Sequence, residues 1–345
     1  MSTYSEIYEQ PKVLKKLLQT QRLKVEQIAS EIRKKNVEYV FLVARGTSDN
    51  AGRYANYLWG AHNQLPLALA TPSLFTIYEQ PPKLKNALVV SISQSGKSPD
   101  LISVVEEGRR QGCLTLSITN APDSPLAEAA DHVLDICAGL EAATAATKSY
   151  TAELMAVAML SAALSGEPER WAELEKVGNW AEQVLAQDEQ IARLSLRYRY
   201  MQRCVMLGRG FNYCTAFEWA LKTKELSYIA AEPYSTADFL HGPIALVEPG
   251  FPVMAVAPSG KAFATICDPL KKMVANNKVD LAVISDQAPL LEIAQTPIRL
   301  PHGIPEWLSP IIAIIPGQLF AYHLTRHRGL DTESPRIITK VTETK

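Results

Sequence analysis

Two short sequence matches recur at one spacing along this chain of 345 residues. Residues 207–210 (LGRG) resemble residues 43–46 (VARG), and residues 259–261 (SGK) repeat residues 95–97. In both pairs the second match begins 164 residues after the first. Each match comes at the end of an apolar run that predicts a strand. The chain is therefore predicted to be an internal duplication whose second copy has diverged.

Apolar runs alternate with helical patterns in both copies. The predicted strands are residues 39–44, 66–70, 87–92, 113–118 and 132–136, followed in the second copy by 253–257, 279–284 and a short strand near 298. This alternation predicts the α/β class, with a doubly wound parallel sheet in each copy and ligands at the carboxyl ends of the strands. The predicted organisation is an N-terminal helical segment (1–36), a first domain (37–166), a helical connector (167–200), a second domain (201–328) and a C-terminal tail (329–345).

The strand predicted at 87–92 ends in a loop rich in hydroxyl groups, residues 93–98 (SQSGKS), before Pro99-Asp100 opens a helix. The first backbone N–H groups of a helix have no partner inside it, and the helix dipole favours negative charge there. Three serines add further donors, so the loop is predicted to bind a phosphate group. An ordinary N-capped helix is the alternative. The spacing of a Walker loop is missing.

A second group of candidate residues lies on the helix predicted to begin near Tyr213. Glu218, Lys222 and Glu225 fall on one stripe of it, and an exposed surface ion pair is the alternative interpretation. The apolar neighbours of these residues leave little of the helix free for solvent. Residues 230–243 are long for a plain connecting loop, and His241 within them is a candidate acid or base.

Composition limits the partners of the chain. The 35 basic and 36 acidic residues nearly balance, which argues against nucleic acid as a partner. The five cysteines are scattered without a Cys-x-x-Cys pair, which predicts a reducing compartment and no metal site. The N-terminus has no signal pattern, and the apolar stretch 154–164 is too short to span a membrane. We therefore expect a soluble cytoplasmic protein that does not bind membranes.

The chain resembles the sugar isomerase (SIS) family. The likeness covers nearly the whole chain, from residues 6–11 (EIYEQP) to residues 334–340 (SPRIITK). The specific motifs are Gly46-Thr47-Ser48, Ser93-Gln94-Ser95-Gly96, Glu141 through Ala146-Thr147-Lys148, Leu207-Gly208-Arg209-Gly210, Leu221 through Lys224-Glu225, and His241-Gly242-Pro243. The likeness is to the isomerase half of glucosamine-6-phosphate synthase. Arg45 stands where that synthase has cysteine, and here the chain more closely resembles the stand-alone SIS-type glucosamine-6-phosphate deaminases. The resemblance implies two tandem flavodoxin-like domains.

The resemblance also implies roles for particular residues, with a sugar phosphate as substrate and no cofactor. The implied substrate-binding residues are Arg45, Gly46, Thr47, Ser48, Ser93, Gln94, Ser95, Ser98, Thr144 and Thr339. Glu225 would be the base that moves a proton between C1 and C2, and His241 the acid/base that opens the sugar ring. Lys340 would be the tail lysine near the sugar, and Glu218 and Lys222 would be the supporting charged residues of the catalytic group.

In this family the histidine often comes from the neighbouring subunit, so the resemblance implies a homodimer with shared active sites. The N-terminal helices, the connector and the apolar final helix, with its isoleucines at 311–315, are expected to offer the apolar surface for this dimer.

The implied activity is conversion of glucosamine 6-phosphate and water to fructose 6-phosphate and ammonia. The chain begins directly at the isomerase part, without the glutaminase that would supply ammonia, so the deaminating direction is expected. Alternatives are an enzyme acting on another amino sugar or on a fructosyl-amino-acid phosphate, and a simple aldose–ketose isomerase. A non-catalytic sugar-phosphate sensor is a further alternative, disfavoured because Glu225, His241 and Lys340 are all present.

Overall fold

A computed structural model describes residues 2–340 and contains two parallel sheets of five strands each. The strands of the first sheet are β1 Tyr39–Val43, β2 Leu67–Leu69, β3 Ala87–Ser93, β4 Leu114–Thr119 and β5 His132–Asp135. The strands of the second sheet are β6 Arg203–Gly208, β7 Ala230–Ser235, β8 Pro252–Val256, β9 Asp280–Ser285 and β10 Thr296–Arg299.

Helices lie between and around these strands. They are α1 Thr3–Lys34, α2 Gly46–Asn63, α3 Ser73–Thr76, α4 Pro99–Arg110, α5 Pro125–Ala129, α6 Lys148–Ser165, α7 Pro168–Leu174, α8 Val177–Leu185, α9 Asp188–Ser195, α10 Tyr213–Ser227, α11 Thr236–Leu240, α12 Phe263–Lys272, α13 Ala288–Leu291 and α14 Ser309–His327. Single helical turns occur at Leu196–Tyr198, Gly210–Asn212, Pro243–Leu246, Met273–Asn277 and Glu306–Leu308.

The described chain divides into two compact units, and each unit holds one sheet. One unit comprises residues 12–141, 148–176 and 339–340, and the other comprises residues 2–11, 142–147 and 177–338.

The two sheets have the same strand order. It is β2-β1-β3-β4-β5 in the first sheet and β7-β6-β8-β9-β10 in the second, which is the order 2-1-3-4-5 of flavodoxin-like folds in both. The first strands of the two sheets begin at Tyr39 and Arg203, which are 164 residues apart. The predictions of the α/β class, of doubly wound parallel sheets and of an internal duplication are therefore confirmed.

The centre of the first sheet explains why its strands could be read from the sequence. Every residue of β3 and of β4 is buried, because helices cover both faces of a parallel sheet and its central strands become continuous apolar runs. In the second sheet, β9 shows the same pattern, with only its first residue partly exposed.

The interpretation of residues 230–243 as a long loop is wrong. Residues 230–235 form β7, which pairs in parallel with β6, and a short helix, α11, follows directly. Glu232 and Pro233 interrupt any apolar run, but β7 is an edge strand, where one face is solvated and a proline is tolerated. His241 follows the last residue of α11.

The final helix also differs from its predicted role. The stretch Glu306–His327 has the length and mean hydropathy (1.3) of a membrane span, but 94% of that window is buried inside the protein. Its isoleucines are fully buried, so they do not provide the exposed dimer surface that was expected of them. Instead α14 packs on α10, where Phe320 meets Trp219 edge to face at 5.5 Å. The helix is therefore a core element that supports α10.

Candidate active site

The loop between β3 and α4 presents donors that no described residue uses. Ser98 occupies the N-cap position of α4, yet its hydroxyl makes no capping hydrogen bond. Among residues 2–340 no group bonds to the hydroxyls of Ser95 and Ser98, or accepts from the backbone N–H groups of Ser95, Lys97 and Ser98. Ser93 Oγ accepts from the N–H of Gly96 at 3.2 Å. The alternative of an ordinary serine cap is therefore not realised.

Gly96 shapes this loop, which we call the first loop (residues 93–98). Its φ of +63° lies in the left-handed region, and a Cβ added there would fall 2.0 Å from Ser124 Oγ. Both constraints require glycine. Ser124 caps the adjoining helix α5, and the carbonyl oxygen of Gly96 accepts from the N–H of Leu126 at 3.2 Å. The loop is thus held by its own glycine turn and by α5.

The loop after β1 lies beside the first loop, because β1 and β3 are neighbouring parallel strands. Arg45 joins the two loops, since its Nε and Nη2 both lie 2.9 Å from Oδ2 of the buried Asp100 at the start of α4. Ser48 is buried and its hydroxyl donates to Glu153 Oε1 at 2.8 Å. The predicted substrate-binding residues 45–48 and 93–98 are therefore brought together, but the side chains of Arg45, Ser48 and Ser93 already make contacts within the protein.

The corresponding loop of the second copy uses the same three backbone donors differently. The N–H of Ser259 donates to Asp286 Oδ1 at 2.7 Å. The N–H groups of Lys261 and Ala262 donate to the two carboxylate oxygens of Glu306, at 2.8 and 3.1 Å. At a spacing of 164 residues these donors match those of Ser95, Lys97 and Ser98. In this second loop (residues 258–262), carboxylates of the chain itself already occupy the anion-binding positions.

The charged stripe of α10 forms a buried cluster. Lys222 Nζ lies 2.6 Å from Glu225 Oε2 and 3.4 Å from Glu218 Oε1. The side chains of Glu218 and Lys222 are 0% and 1% exposed, whereas that of Glu225 is 23% exposed. The interpretation as a surface ion pair is therefore wrong. Burial by itself would lower the pKa of Lys222, but the carboxylates of Glu225 and Glu218 raise it above its usual value.

This cluster holds one positive and two negative charges. Removing such groups from water costs several kcal/mol per ion, about what a well-placed partner charge returns. A buried ammonium between two carboxylates is satisfied on both sides, and it fixes the position of each carboxylate. Of the three, only Glu225 reaches solvent, and its contact with the buried Lys222 holds its carboxylate in place.

The tail lysine, Lys340, has a partner that the sequence did not reveal. Lys340 Nζ lies 2.9 Å from Oε2 of Glu141, whose side chain is fully buried. Glu141 also accepts from the N–H and the hydroxyl of Ser149, at 3.1 and 2.7 Å. Glu141 was recognised only as part of a motif, since the 199 positions between it and Lys340 hide any local signal. The carboxylate therefore holds the tail lysine in place.

Three predicted residues remain, Thr144, Thr339 and His241. Thr144 Oγ1 donates to the carbonyl oxygen of Glu333 at 3.4 Å, and Thr339 is exposed. His241 is exposed, and its ring bonds to none of residues 2–340, Glu225 included. No group of three His, Cys, Asp or Glu side chains that could hold a metal ion occurs in the described part of the chain.

Comparisons with known proteins agree with this architecture. The model of the SIS domain matches residues 31–163 and 199–328, one match in each copy. The chain is 35% identical to the glutamine–fructose-6-phosphate aminotransferase (isomerizing) of Thermosynechococcus vestitus, over 97% of this chain and 58% of that protein. It is 33% identical to the corresponding aminotransferase of Thermococcus kodakarensis. The chain thus spans somewhat more than half the length of these relatives.

Solved structures show the same relationship. The C-terminal domain of glucosamine-fructose-6-phosphate aminotransferase from Francisella tularensis superimposes with a TM-score of 0.87 at 29% identity, covering 96% of this chain and 98% of that one. Glucosamine-6-phosphate deaminase from Thermotoga maritima shares the fold, with a TM-score of 0.76 at 21% identity and full coverage of both chains. With one matched domain in each copy and relatives above 30% identity, the chain belongs to the SIS domain family and is an enzyme of that family.

Proposed function

We propose that this enzyme converts glucosamine 6-phosphate and water to fructose 6-phosphate and ammonia. The observation that carries the proposal is the cluster on α10, which buries two of its charges and leaves one carboxylate, Glu225, accessible. A fixed and ionised carboxylate is the group that proton transfer between two neighbouring carbons requires.

The phosphate group of the substrate binds at the first loop. Three backbone N–H groups and the hydroxyls of Ser95 and Ser98 are available there as donors to phosphate oxygens, at the N-terminal end of α4. Hydrogen bonds to an ionised acceptor are the strong ones, so these donors supply much of the substrate affinity. Arg45 orders the loop through Asp100.

The reaction then proceeds on the open-chain sugar, whose C1 is an aldehyde and whose C2 carries the amine. Glu225 removes the proton from C2 while the aldehyde oxygen at C1 gains a proton, which gives an enaminol. Glu225 then returns its proton to C1 and the amine loses a proton, which leaves a C1 hydroxyl and an imine at C2. Water adds to this imine and ammonia leaves, so the C2 ketone of fructose 6-phosphate is formed. Lys222 remains an ammonium group throughout, because its pKa is raised, and it holds the carboxylate of Glu225 in position.

His241 is proposed to open the sugar ring by moving a proton to the ring oxygen. Its exposed position after α11, with no bond from its ring to a described residue, suits a side chain that acts in a neighbouring subunit. We therefore propose a homodimer with shared active sites. Lys340, fixed by Glu141, is proposed to lie beside the open-chain sugar. A cytoplasmic location completes the proposal.

Ammonia release from a panel of amino-sugar phosphates tests the function. Glucosamine 6-phosphate is expected to be the best substrate, with ammonia and fructose 6-phosphate formed in equal amounts. Interconversion of glucose 6-phosphate and fructose 6-phosphate without ammonia release from any amino sugar would instead identify an aldose–ketose isomerase. Release of an amino acid, without ammonia, from a fructosyl-amino-acid phosphate would identify a deglycase. Binding without turnover of any of these compounds would identify a sensor.

Mixing two impaired variants tests the shared site. His241→Asn is expected to slow turnover of the cyclic sugar, and Glu225→Gln is expected to be inactive. If His241 acts across the subunit boundary, hybrid dimers of these two variants contain one intact site and regain part of the activity. Failure to regain activity, with subunit exchange shown by a tagged chain, would contradict the shared site and leave the role of Glu225 standing.

A further inference from the structure

A cavity separate from the candidate active-site residues lies where α10 and α14 end. Its volume is about 690 Å³, within the range of small-molecule sites in proteins, and it contains none of the residues assigned to catalysis. Three arginines line it (Arg199, Arg328 and Arg336), together with the rings of Tyr200 and Tyr228. No aspartate or glutamate lines it. We call this cavity the arginine pocket.

The three guanidinium groups keep their charge uncompensated in the described structure. None of them pairs with a carboxylate among residues 2–340. The net charge of the chain is −1, and most of its other arginines form ion pairs, as Arg197 and Arg203 do. The three arginines of the pocket are therefore a local concentration of positive charge. Like charges that share one concave surface repel each other, and an anion between them relieves that repulsion.

The arginines are also held in place before any ligand binds. Arg328 Nη1 donates to the carbonyl oxygens of Arg199 and Met201, at 3.0 and 2.7 Å. The guanidinium group of Arg336 lies over the ring of Tyr228, 4.5 Å from its centroid. Stacked and anchored guanidinium groups lose little freedom when they bind a phosphate, and their planar donors match its oxygens in pairs.

The pocket wall is built from elements that carry candidate catalytic residues. Tyr228 ends α10 in the left-handed conformation (φ +55°), three residues after Glu225, and its N–H bonds to the carbonyl oxygen of Lys224. Its hydroxyl accepts from the N–H of Arg336 at 2.8 Å. Arg336 in turn precedes Lys340 by four residues. An occupant that contacts Arg336 would therefore act on the end of α10 and on the start of the tail.

We propose that the arginine pocket binds a phosphorylated small molecule and thereby regulates the enzyme. The phosphate group pairs with the guanidinium groups of Arg199, Arg328 and Arg336. The guanidinium group of Arg199 lies over one face of the Tyr200 ring, 4.6 Å from its centroid, and this ring, which is 78% exposed, offers its other face to a ring on the ligand. A nucleotide and a sugar phosphate both present this chemistry. The occupant fixes Arg336 on Tyr228 and so orders the tail that leads to Lys340.

Calorimetric titration with pyrophosphate tests the binding step. The titration uses the full chain carrying Ser95→Asp, which places a carboxylate in the first loop and prevents phosphate binding there. Saturable binding at one site per chain is expected. Adding Arg199→Ser and Arg336→Ser, both exposed positions, is expected to weaken it at least tenfold, since each removes a charged partner of the phosphate. Arg328 is left intact because it anchors two backbone carbonyls.

Arg193→Ser is the matched control. It removes one positive charge, against two in the double variant, from an exposed position on α9 outside the pocket, and it is expected to change the affinity less than twofold. Titrations with AMP and with glucose 6-phosphate distinguish the two ligand sources by which one binds more tightly. No saturable binding, or equal affinity in the Arg199→Ser/Arg336→Ser protein, would overturn the proposal.

Hydrogen exchange tests the regulatory step separately from activity. Pyrophosphate is expected to slow exchange of the amides of residues 329–338 and of the peptide containing Tyr228. In the Arg199→Ser/Arg336→Ser protein, pyrophosphate is expected to give no such protection. Saturable binding without any such protection would overturn the coupling to the tail.

Discussion

The first and second loops show how two copies of one architecture can diverge in chemistry. Both loops follow the third strand of a sheet with the order 2-1-3-4-5, and both precede a helix. In the first loop the N–H groups of Ser95, Lys97 and Ser98 have no acceptor among residues 2–340. In the second loop the matching donors bond to Asp286 and Glu306.

The difference shows that backbone donors left open in one copy can be satisfied in the other by side chains of the chain itself. Glu306 comes from the segment before α14 and places its carboxylate where the helix dipole of α12 favours an anion. A Cβ at position 260 would fall 2.2 Å from that carboxylate, so Gly260 is required for this contact. The second copy thus stabilises its own loop internally, and the contribution to the reaction that we propose for this copy comes from α10 instead.

The largest expected effect separates chemistry from binding. Glu225→Gln keeps the size and hydrogen bonding of the side chain but removes the base. Because a positioned base contributes roughly 10²–10⁴-fold, kcat for ammonia release is expected to fall about a thousandfold with KM nearly unchanged. The C2 proton should no longer exchange with solvent. Steady-state kinetics and exchange into heavy water measure both effects.

Glu248→Gln is the matched control for that variant, since Glu248 is an exposed carboxylate of the same unit that pairs with Arg203. It should leave kcat within twofold of the original enzyme. Near-normal ammonia release by Glu225→Gln would contradict the division of roles between the two copies.

The next largest effect concerns the stability that the buried cluster contributes. Lys222→Met leaves Glu218 and Glu225 without their cation, and breaking a buried pair in this way costs about 3–5 kcal/mol. The pKa of Lys222 is raised in the folded chain, so its contribution is present below the usual lysine value and is lost only as the pH rises through the folded value. Urea unfolding at pH 7 measures the loss.

Lys224→Met serves as the comparison, because Lys224 lies two residues after Lys222 on the same helix and is exposed. Its effect on the unfolding free energy is expected to stay within about 0.5 kcal/mol, as for most surface substitutions. Equal effects of the two substitutions would contradict the assignment of Lys222 as a buried positioning residue.

A smaller effect is expected from the internal anion of the second loop. Glu306→Gln retains one acceptor oxygen but removes the charge from the start of α12, which costs about 1 kcal/mol of unfolding free energy. KM for the sugar phosphate should not change, since we propose that the first loop, not the second, binds it. Thermal unfolding and kinetics check both, with the exposed Glu292→Gln as control. A large rise in KM would contradict the comparison of the two loops.

Much of the fold could be predicted because its information is local. The strands β1 and β3 are continuous apolar runs, and their predicted bounds agree with the structure to within one residue. The strand β7 could not be predicted, since Glu232 and Pro233 break its pattern and only pairing with β6 makes it a strand. Residues 230–235 form a strand only because they pair with β6, so a short stretch of sequence taken alone does not predict it.

The same distinction applies to the candidate site. The stripe of Glu218, Lys222 and Glu225 lies within eight residues and was visible as helical spacing. The partners Glu141 and Lys340 are 199 positions apart, and Glu306 meets Lys261 across 45 positions. Those contacts depend on where the fold brings distant segments, and the carboxylates involved look like ordinary acidic residues in the sequence.

The most direct test of the division between the two loops is a pair of titrations with glucosamine 6-phosphate. Ser95→Asp and Ser259→Asp place the same carboxylate at matching positions of the first and second loops, and near-ultraviolet circular dichroism confirms that both variants are folded. We predict that Ser259→Asp binds one sugar phosphate per chain with unchanged affinity and that Ser95→Asp shows no binding. Binding by Ser95→Asp together with its loss in Ser259→Asp would contradict the account.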